Sequence, residues 1–359
     1  MARAVILDCE GPVLTDEERS FFCDVDPWGF ILFARHCQSP DQMRALCADL
    51  RDAVGRDAPI LIDQEGGRVA RMQARHHGAW ATHPPADVFG MLWRLDPARA
   101  RKAAWLNGYY LARMVADGGV TFNCVPVLDV PQIDSDPVTL GDRTLAKHPD
   151  IIVELGQAMI DGTMAGGVQP VMKHLPGLGR SQCDSHKALP VVEASLSDLQ
   201  RTDFLPFEAL NETRVAMTAH VTYTQIDPDQ CATHSPIVVE EVIRGQIGFD
   251  GLLITDDLKM EALGGDYASR AQRAIAAGCD VALACNMSLD DRGNVAAAVP
   301  MLAGKAKTRA ERAVPNSISW PISGPMAEIE ETFADLCTLL KPVWQPGLAL
   351  APETDEITT

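Results

Sequence analysis

Three times along this chain an amphipathic helix runs into small residues and glycine and then directly into a β-rich apolar run. That joint is how a helix returns the chain to a parallel sheet, because glycine ends the helix and a branched, apolar segment suits a strand covered on both faces. The first joint is a helix over 98–116, the small residues Asp117, Gly118 and Gly119, and a strand over 120–127. Asp96 and Pro97 stand where a helix takes its N-cap and first turn. The second runs from Ile151 through Ala165, Gly166 and Gly167 into 168–174, and the third from Ala268 through Ala277 and Gly278 into 279–285. Further strands are expected at 30–33, 59–63, 214–220 and 251–255, which makes seven, with 4–8 as the best candidate for an eighth.

The fold these imply is α/β, a TIM-type (β/α)8 barrel, regular or irregular, in a single domain over 1–341, followed by a proline-bearing acidic tail over 342–359. An open doubly wound sheet is the alternative. A chain of 359 residues with 47% hydrophobic residues can build a core of that size. The 49 acidic against 31 basic residues give a net charge of -18, which argues against nucleic acid and anionic membranes as partners. The first twelve residues lack the pattern of a signal peptide, and the ten cysteines, several in apolar runs and without a C-x-x-C pair, read as reduced core thiols; both point to the cytoplasm.

Polar residues gather just after the strands: Asp63 to Arg68, Asn123 to Asp129, Lys173 with His174, His220, and Asp256 with Asp257. In a barrel that face carries the chemistry, and the opposite strand ends are expected to be poorer in Asp, His and Arg. Asp256 is placed to act as a rigidly held nucleophile, although a strand-terminal Asp-Asp pair could equally bind Mg²⁺ or cap a helix. The segment from Lys173 to His186 continues from a strand end into a loop rich in Gly, Pro and Ser. Asp184 and His186 are two apart, so in an extended loop the carboxylate can orient the imidazole and raise its proton affinity. A histidine near neutral pKa suits a group that first donates and then accepts a proton. In Asp63-Gln-Glu-Gly-Gly-Arg-Val-Ala-Arg71, paired glycines permit a tight turn, and the arginines suit hydroxyls or a carboxylate.

Taken together, Ile31 to Arg35, Asp63 to Arg71, Asn123 to Asp129, Gly141-Asp-Arg143, Lys173-His174, Asp184-Ser-His186 and Thr255-Asp-Asp-Leu258 resemble, in content and order, the family-three glycoside hydrolases, and among them the bacterial β-N-acetylglucosaminidases of cell-wall recycling. The resemblance implies a retaining glycosidase in which Asp256 attacks the anomeric carbon. His186, supported by Asp184, is then the acid/base, and Asp63, Arg71, Arg143, Lys173 and His174 bind the sugar. It implies no metal and no cofactor, and a small carbohydrate or muropeptide as substrate; it leaves protein partners open. A histidine acid/base departs from the usual retaining pair of carboxyl groups about 5 to 5.5 Å apart. A second departure is Pro176-Gly-Leu-Gly179, where related enzymes commonly read Pro-Gly-His-Gly. The competing readings are phosphorolysis by the same site, a noncatalytic sugar-binding barrel, and a metal-dependent hydrolase using His174, His186, His220 and Asp256.

Overall fold

In the computed structural model, which describes residues 2–73, 80–183, 188–314 and 326–346, nine parallel strand segments form one sheet. Two of them, Gln169–Pro170 and Met172–Leu175, are successive halves of one strand, so the barrel has eight positions. In chain order these are β1 (Arg3–Leu7), β2 (Pro27–Leu32), β3 (Ile60–Ile62), β4 (Phe122–Asn123), β5 (the two halves just named), β6 (Val215–Thr218), β7 (Leu252–Asp257) and β8 (Val281–Ala284). β5 closes the ring: its first half pairs with β4 at Phe122 and Gln169, and its second with β6 at Ala216 and Met172. β1 lies between β2 and β8, so the eighth strand is the N-terminal one and the open-sheet alternative falls.

Side chains alternate between two cores, as the period-2 geometry of a strand requires. Ile6, Leu61, Phe122, Val215, Met217 and Ile254 fill the barrel interior, while Val5, Leu7, Ile60 and Ile62 pack outward against helices. The helices start where their caps dictate. Asp96 accepts the Arg99 amide at 3.0 Å and opens the Pro97–Asp117 helix, and Asp266 accepts the Ser269 amide at 2.8 Å before Tyr267–Ala277.

The expected strand over 120–127 regularises only at Phe122–Asn123, because the carboxyl-terminal part leaves the ladder to become wall for the mouth: Val127 bridges to Lys173, and Asp129 turns back onto His174. β2 begins earlier than the 30–33 run, since Pro27 already pairs with Arg3. The tail begins beside the barrel, with Trp344 buried near Leu336 and Leu340; residues 347–359 lie outside the described residues. All ten cysteines are free, but Cys23 is exposed and Cys183 and Cys337 are half-buried, so not all are core thiols.

The amino-terminal rim is also richer in charge than the sequence suggested. Asp280 accepts Arg244 at 2.8 Å and Arg309 at 3.2 Å, and Arg309 also reaches Asp250 at 2.8 Å. This cluster serves the ladder: Asp280 also takes the Leu253 amide at 2.9 Å, fixing the starts of β7 and β8. No helix among the described residues is long and apolar enough to cross a membrane.

Candidate active site

At the carboxyl ends of the strands lies a cavity of about 100 Å³. Phe33 follows β2, Asp63 and Glu65 follow β3, Lys173 and His174 lie on β5, Asp256 and Asp257 end β7, and Cys285 and Asn286 follow β8; all line it. Arg71, Thr139, Arg143 and Leu178 enter from loops. The structure therefore brings Asp63, Arg71, Arg143, Lys173, His174 and Asp256 into one pocket. Asp184 and His186, the expected proton-transfer pair, lie outside the described residues.

One side of the pocket is a lattice of paired charges. The Lys173 ammonium donates to Asp63 Oδ1 at 2.7 Å and contacts Glu65 Oε1 at 2.6 Å. Arg143 meets Glu65 in a two-pronged bond, Nε to Oε2 and Nη2 to Oε1, both at 2.9 Å. Arg71 reaches Asp63 Oδ2 at 3.4 Å and lies over the Phe33 ring, 5.2 Å from its centroid. Burial alone would push Asp63 up, but Lys173 and Arg71 overcome it and hold the carboxyl well below the usual range. Glu65 is held at about 2 in the same way, burial being outweighed by Arg143 and Lys173. Lys173 and Arg143, disfavoured by burial, are held above their ordinary values by these carboxylates.

His174 is fixed by Asp129, which sequence reasoning left out of the site. Nδ1 donates to Asp129 Oδ2 at 2.7 Å, so Nε2 is the ring nitrogen left for a ligand. Asp129 Oδ1 also accepts the Leu178 amide at 2.6 Å, which ties the pocket to the loop after β5. Ser135 donates to the Gly179 carbonyl at 2.6 Å, Thr139 to the Cys183 carbonyl at 3.3 Å, and Thr139 accepts Arg143 on its own carbonyl at 2.8 Å. The stem of the loop carrying Asp184 and His186 is thus pinned to the segment carrying Arg143.

The other side is organised by backbone. Asp256 Oδ1 accepts the Asp257 amide at 2.8 Å. Asp257 Oδ1 accepts the Lys259 amide at 3.0 Å and the Cys285 amide at 3.4 Å. Burial pushes Asp257 up to about 7, because the amides and the Cys285 thiol that favour its anion do not offset lost solvation and the neighbouring Asp256.

Glu65 and Asp257 are the pocket carboxylates to which the sequence reading gave no site role. Glu65 stands two residues after Asp63 in the same motif, so that spacing was the available signal. Of the arginines in that motif, Arg71 enters the pocket while Arg68 turns away to Asp142 at 2.8 Å. The paired glycines form the turn between Glu65 and Arg68, with Gly66 at φ 101° and Gly67 at φ 55°.

A family model described as Glycosyl hydrolase family 3 N terminal domain matches residues 14–316. A β-hexosaminidase of Thiobacillus denitrificans is 38% identical over 288 residues, 79% of this chain and 78% of that protein. One from Pseudomonas aeruginosa is 37% identical over 289 residues, covering 80% and 83%. Among solved structures, NagZ from Neisseria gonorrhoeae in complex with N-trifluoroacetyl-D-glucosamine superposes with a TM-score of 0.84 at 28% identity, over 94% of this chain and 98% of that one.

Proposed function

This chain belongs to glycosyl hydrolase family 3 and is a glycoside hydrolase, and from that premise we propose that it removes terminal nonreducing β-linked N-acetylglucosamine by double displacement with net retention. The observation that carries the reading is the position of Asp256: a carboxylate at the end of a buried strand, one oxygen fixed by an amide, in the same pocket as the charged lattice. The lattice residues Asp63 and Lys173, with Arg71, Arg143 and His174, offer acceptors and donors for sugar hydroxyls. Asp256 then attacks the anomeric carbon while the bond to the leaving oxygen breaks and His186 protonates that oxygen. In the second half His186 takes a proton from water, the water oxygen bonds to the anomeric carbon, and the bond to Asp256 breaks, restoring both groups. Asp184 orients His186 in this scheme. The two enter through the resemblance of their motif.

The N-acetyl sugar is favoured because the well-superposed NagZ structure holds an N-acylated glucosamine. Peptidoglycan fragments bearing this sugar, met in the cytoplasm, are the natural substrates in this reading. Their anionic stems would meet local cations in a chain whose net charge is otherwise -18. The scheme itself uses no metal. Enzyme membership removes the noncatalytic sugar-binding reading. Phosphorolysis stays as the second reading, since a histidine acid/base carries no negative charge to repel phosphate. Release of sugar 1-phosphate at saturating phosphate would establish it, and its absence would remove it.

The test is hydrolysis of an aryl β-N-acetylglucosaminide by wild type and by a folded Asp256→Asn variant, with the aryl β-glucoside as control. Turnover of the N-acetyl sugar alone, reduced at least about 10³-fold in the variant, is the expected result. Undiminished activity in Asp256→Asn would mean another carboxylate is the nucleophile, and equal turnover of both sugars would overturn the substrate class.

A further inference from the structure

His220 is buried just past the end of β6 and is not among the residues lining the pocket, yet both of its ring nitrogens are engaged. Nε2 lies 3.0 Å from the carbonyl oxygen of Asp257. A carbonyl can only accept, so Nε2 carries the hydrogen. Nδ1 lies 2.8 Å from the Thr233 hydroxyl, and that hydroxyl lies 2.8 Å from the hydroxyl of Thr218, itself on β6. One arrangement satisfies these contacts with a neutral ring: Thr218 donates to Thr233, Thr233 to Nδ1, and Nε2 to the Asp257 carbonyl. The longer approach of Thr233 to the Ala219 carbonyl, 3.1 Å, is then secondary. The chain of bonds ends on the residue whose amide holds Asp256 Oδ1 at 2.8 Å.

We propose that His220 is a positioning residue for the glycosidase reaction: through the Asp257 backbone it fixes the amide that aims the Asp256 carboxylate at the sugar. The inference rests on Asp256 being the nucleophile. It gives a motif residue that was a candidate metal ligand a different task, because a ring whose two nitrogens serve Thr233 and Asp257 has no lone pair left for a metal. The group that matters is a donor at the ε position, and imidazole chemistry itself is not required.

Glutamine and asparagine separate these possibilities. A Gln side-chain amide can place N–H near the ε position, whereas Asn reaches only as far as Nδ1. With the aryl β-N-acetylglucosaminide, His220→Asn should lower kcat about 10²-fold with KM within about twofold of wild type, as expected for a misaimed group away from the binding side. His220→Gln should recover kcat to within about fivefold, even if both variants melt at the same lowered temperature. Thr233→Val, nearly isosteric, keeps the assay informative if either histidine variant fails to fold; it should lower kcat about fivefold at unchanged KM. Equal losses in Gln and Asn, wild-type kcat in His220→Asn, or wild-type kcat in Thr233→Val would overturn the proposal. Asp256→Asn run alongside separates the two readings: if it remains active, the nucleophile assignment has failed, and if it is inactive while His220→Asn is not, only the positioning role has.

Discussion

The two sides of the mouth solve the problem of buried carboxylates in opposite ways. After β3, Asp63 and Glu65 face full positive charges from Lys173, Arg71 and Arg143, and are held far below the usual carboxylate range or at about 2. After β7, Asp257 is served by backbone amides and a thiol, and is pushed up to about 7 by burial. Asp63 and Asp257 share a residue type and a strand-end position. The difference is that an amide supplies a partial charge, too little to replace the water an anion loses, whereas a guanidinium or ammonium supplies a full one. One side therefore keeps a fixed charge pattern over a wide pH range, as a binding surface needs. The other leaves Asp257 only partly compensated, by amides and a thiol.

That contrast is tested hardest by removing a charge from each side. Asp256→Asn should abolish turnover, by about 10³-fold or more, in a variant whose cooperative melting shows that it is folded. Lys173→Met should do the reverse in emphasis. It leaves Asp63 and Glu65 as neighbouring buried anions with one arginine each, and should cost about 3 kcal/mol of stability by denaturant unfolding as well as raising KM. A Lys173→Met protein as stable as wild type would mean that the lattice is solvated and the contrast is false. Arg143→Lys should be milder. A point charge cannot reproduce the two-pronged bond to Glu65 together with the bond to the Thr139 carbonyl, so KM should rise about thirtyfold, equivalent to roughly 2 kcal/mol. A KM that stays level would show that the bidentate geometry is not used on substrate.

How much of this could be read from the chain follows the same division. The parallel α/β pattern was legible because three helices end in glycine before a strand, and the charged pocket residues were legible because their motifs follow strands in order; closure of the ring was not, since the eighth strand was only a candidate. Glu65 was in view but unassigned, since its value comes from Arg143, which is 78 residues away in sequence and meets it only once β3 and the loop after β4 are neighbours. Asp129 was hidden for the same reason, being paired with His174 across 45 residues. Asp257 was hardest to read. Nothing in a Thr-Asp-Asp-Leu run says that one carboxylate will sit among amides in an enclosed spot, so the raised proton affinity of Asp257 is a property of packing. The charged amino-terminal rim was missed because Arg309 and Asp250 lie on separate elements whose proximity only the fold creates.

The last test isolates the amide-served side by itself. Asp257 binds its proton more tightly in the folded protein, at about 7, than in the unfolded chain, at the ordinary aspartate value of 3.8. Between those values the folded state holds more protons than the unfolded one, so this group makes stability fall as pH rises, and the loss is complete above pH 7. Asp257→Asn keeps an oxygen to accept the Lys259 and Cys285 amides but cannot ionise. The variant should match wild type near pH 4 and exceed it at pH 8 in paired urea unfolding curves, with the gap opening as pH rises from about 4 to about 7. Asp63 and Glu65 carry the opposite sign. Their stabilisation is present above the unfolded carboxylate values and is lost as pH falls toward 2 and below, and it is common to wild type and variant, so it does not enter the difference between their curves. A gap that is constant with pH, or one that favours wild type at pH 8, would show that Asp257 is ionised in the folded protein and that the two sides hold their carboxylates alike.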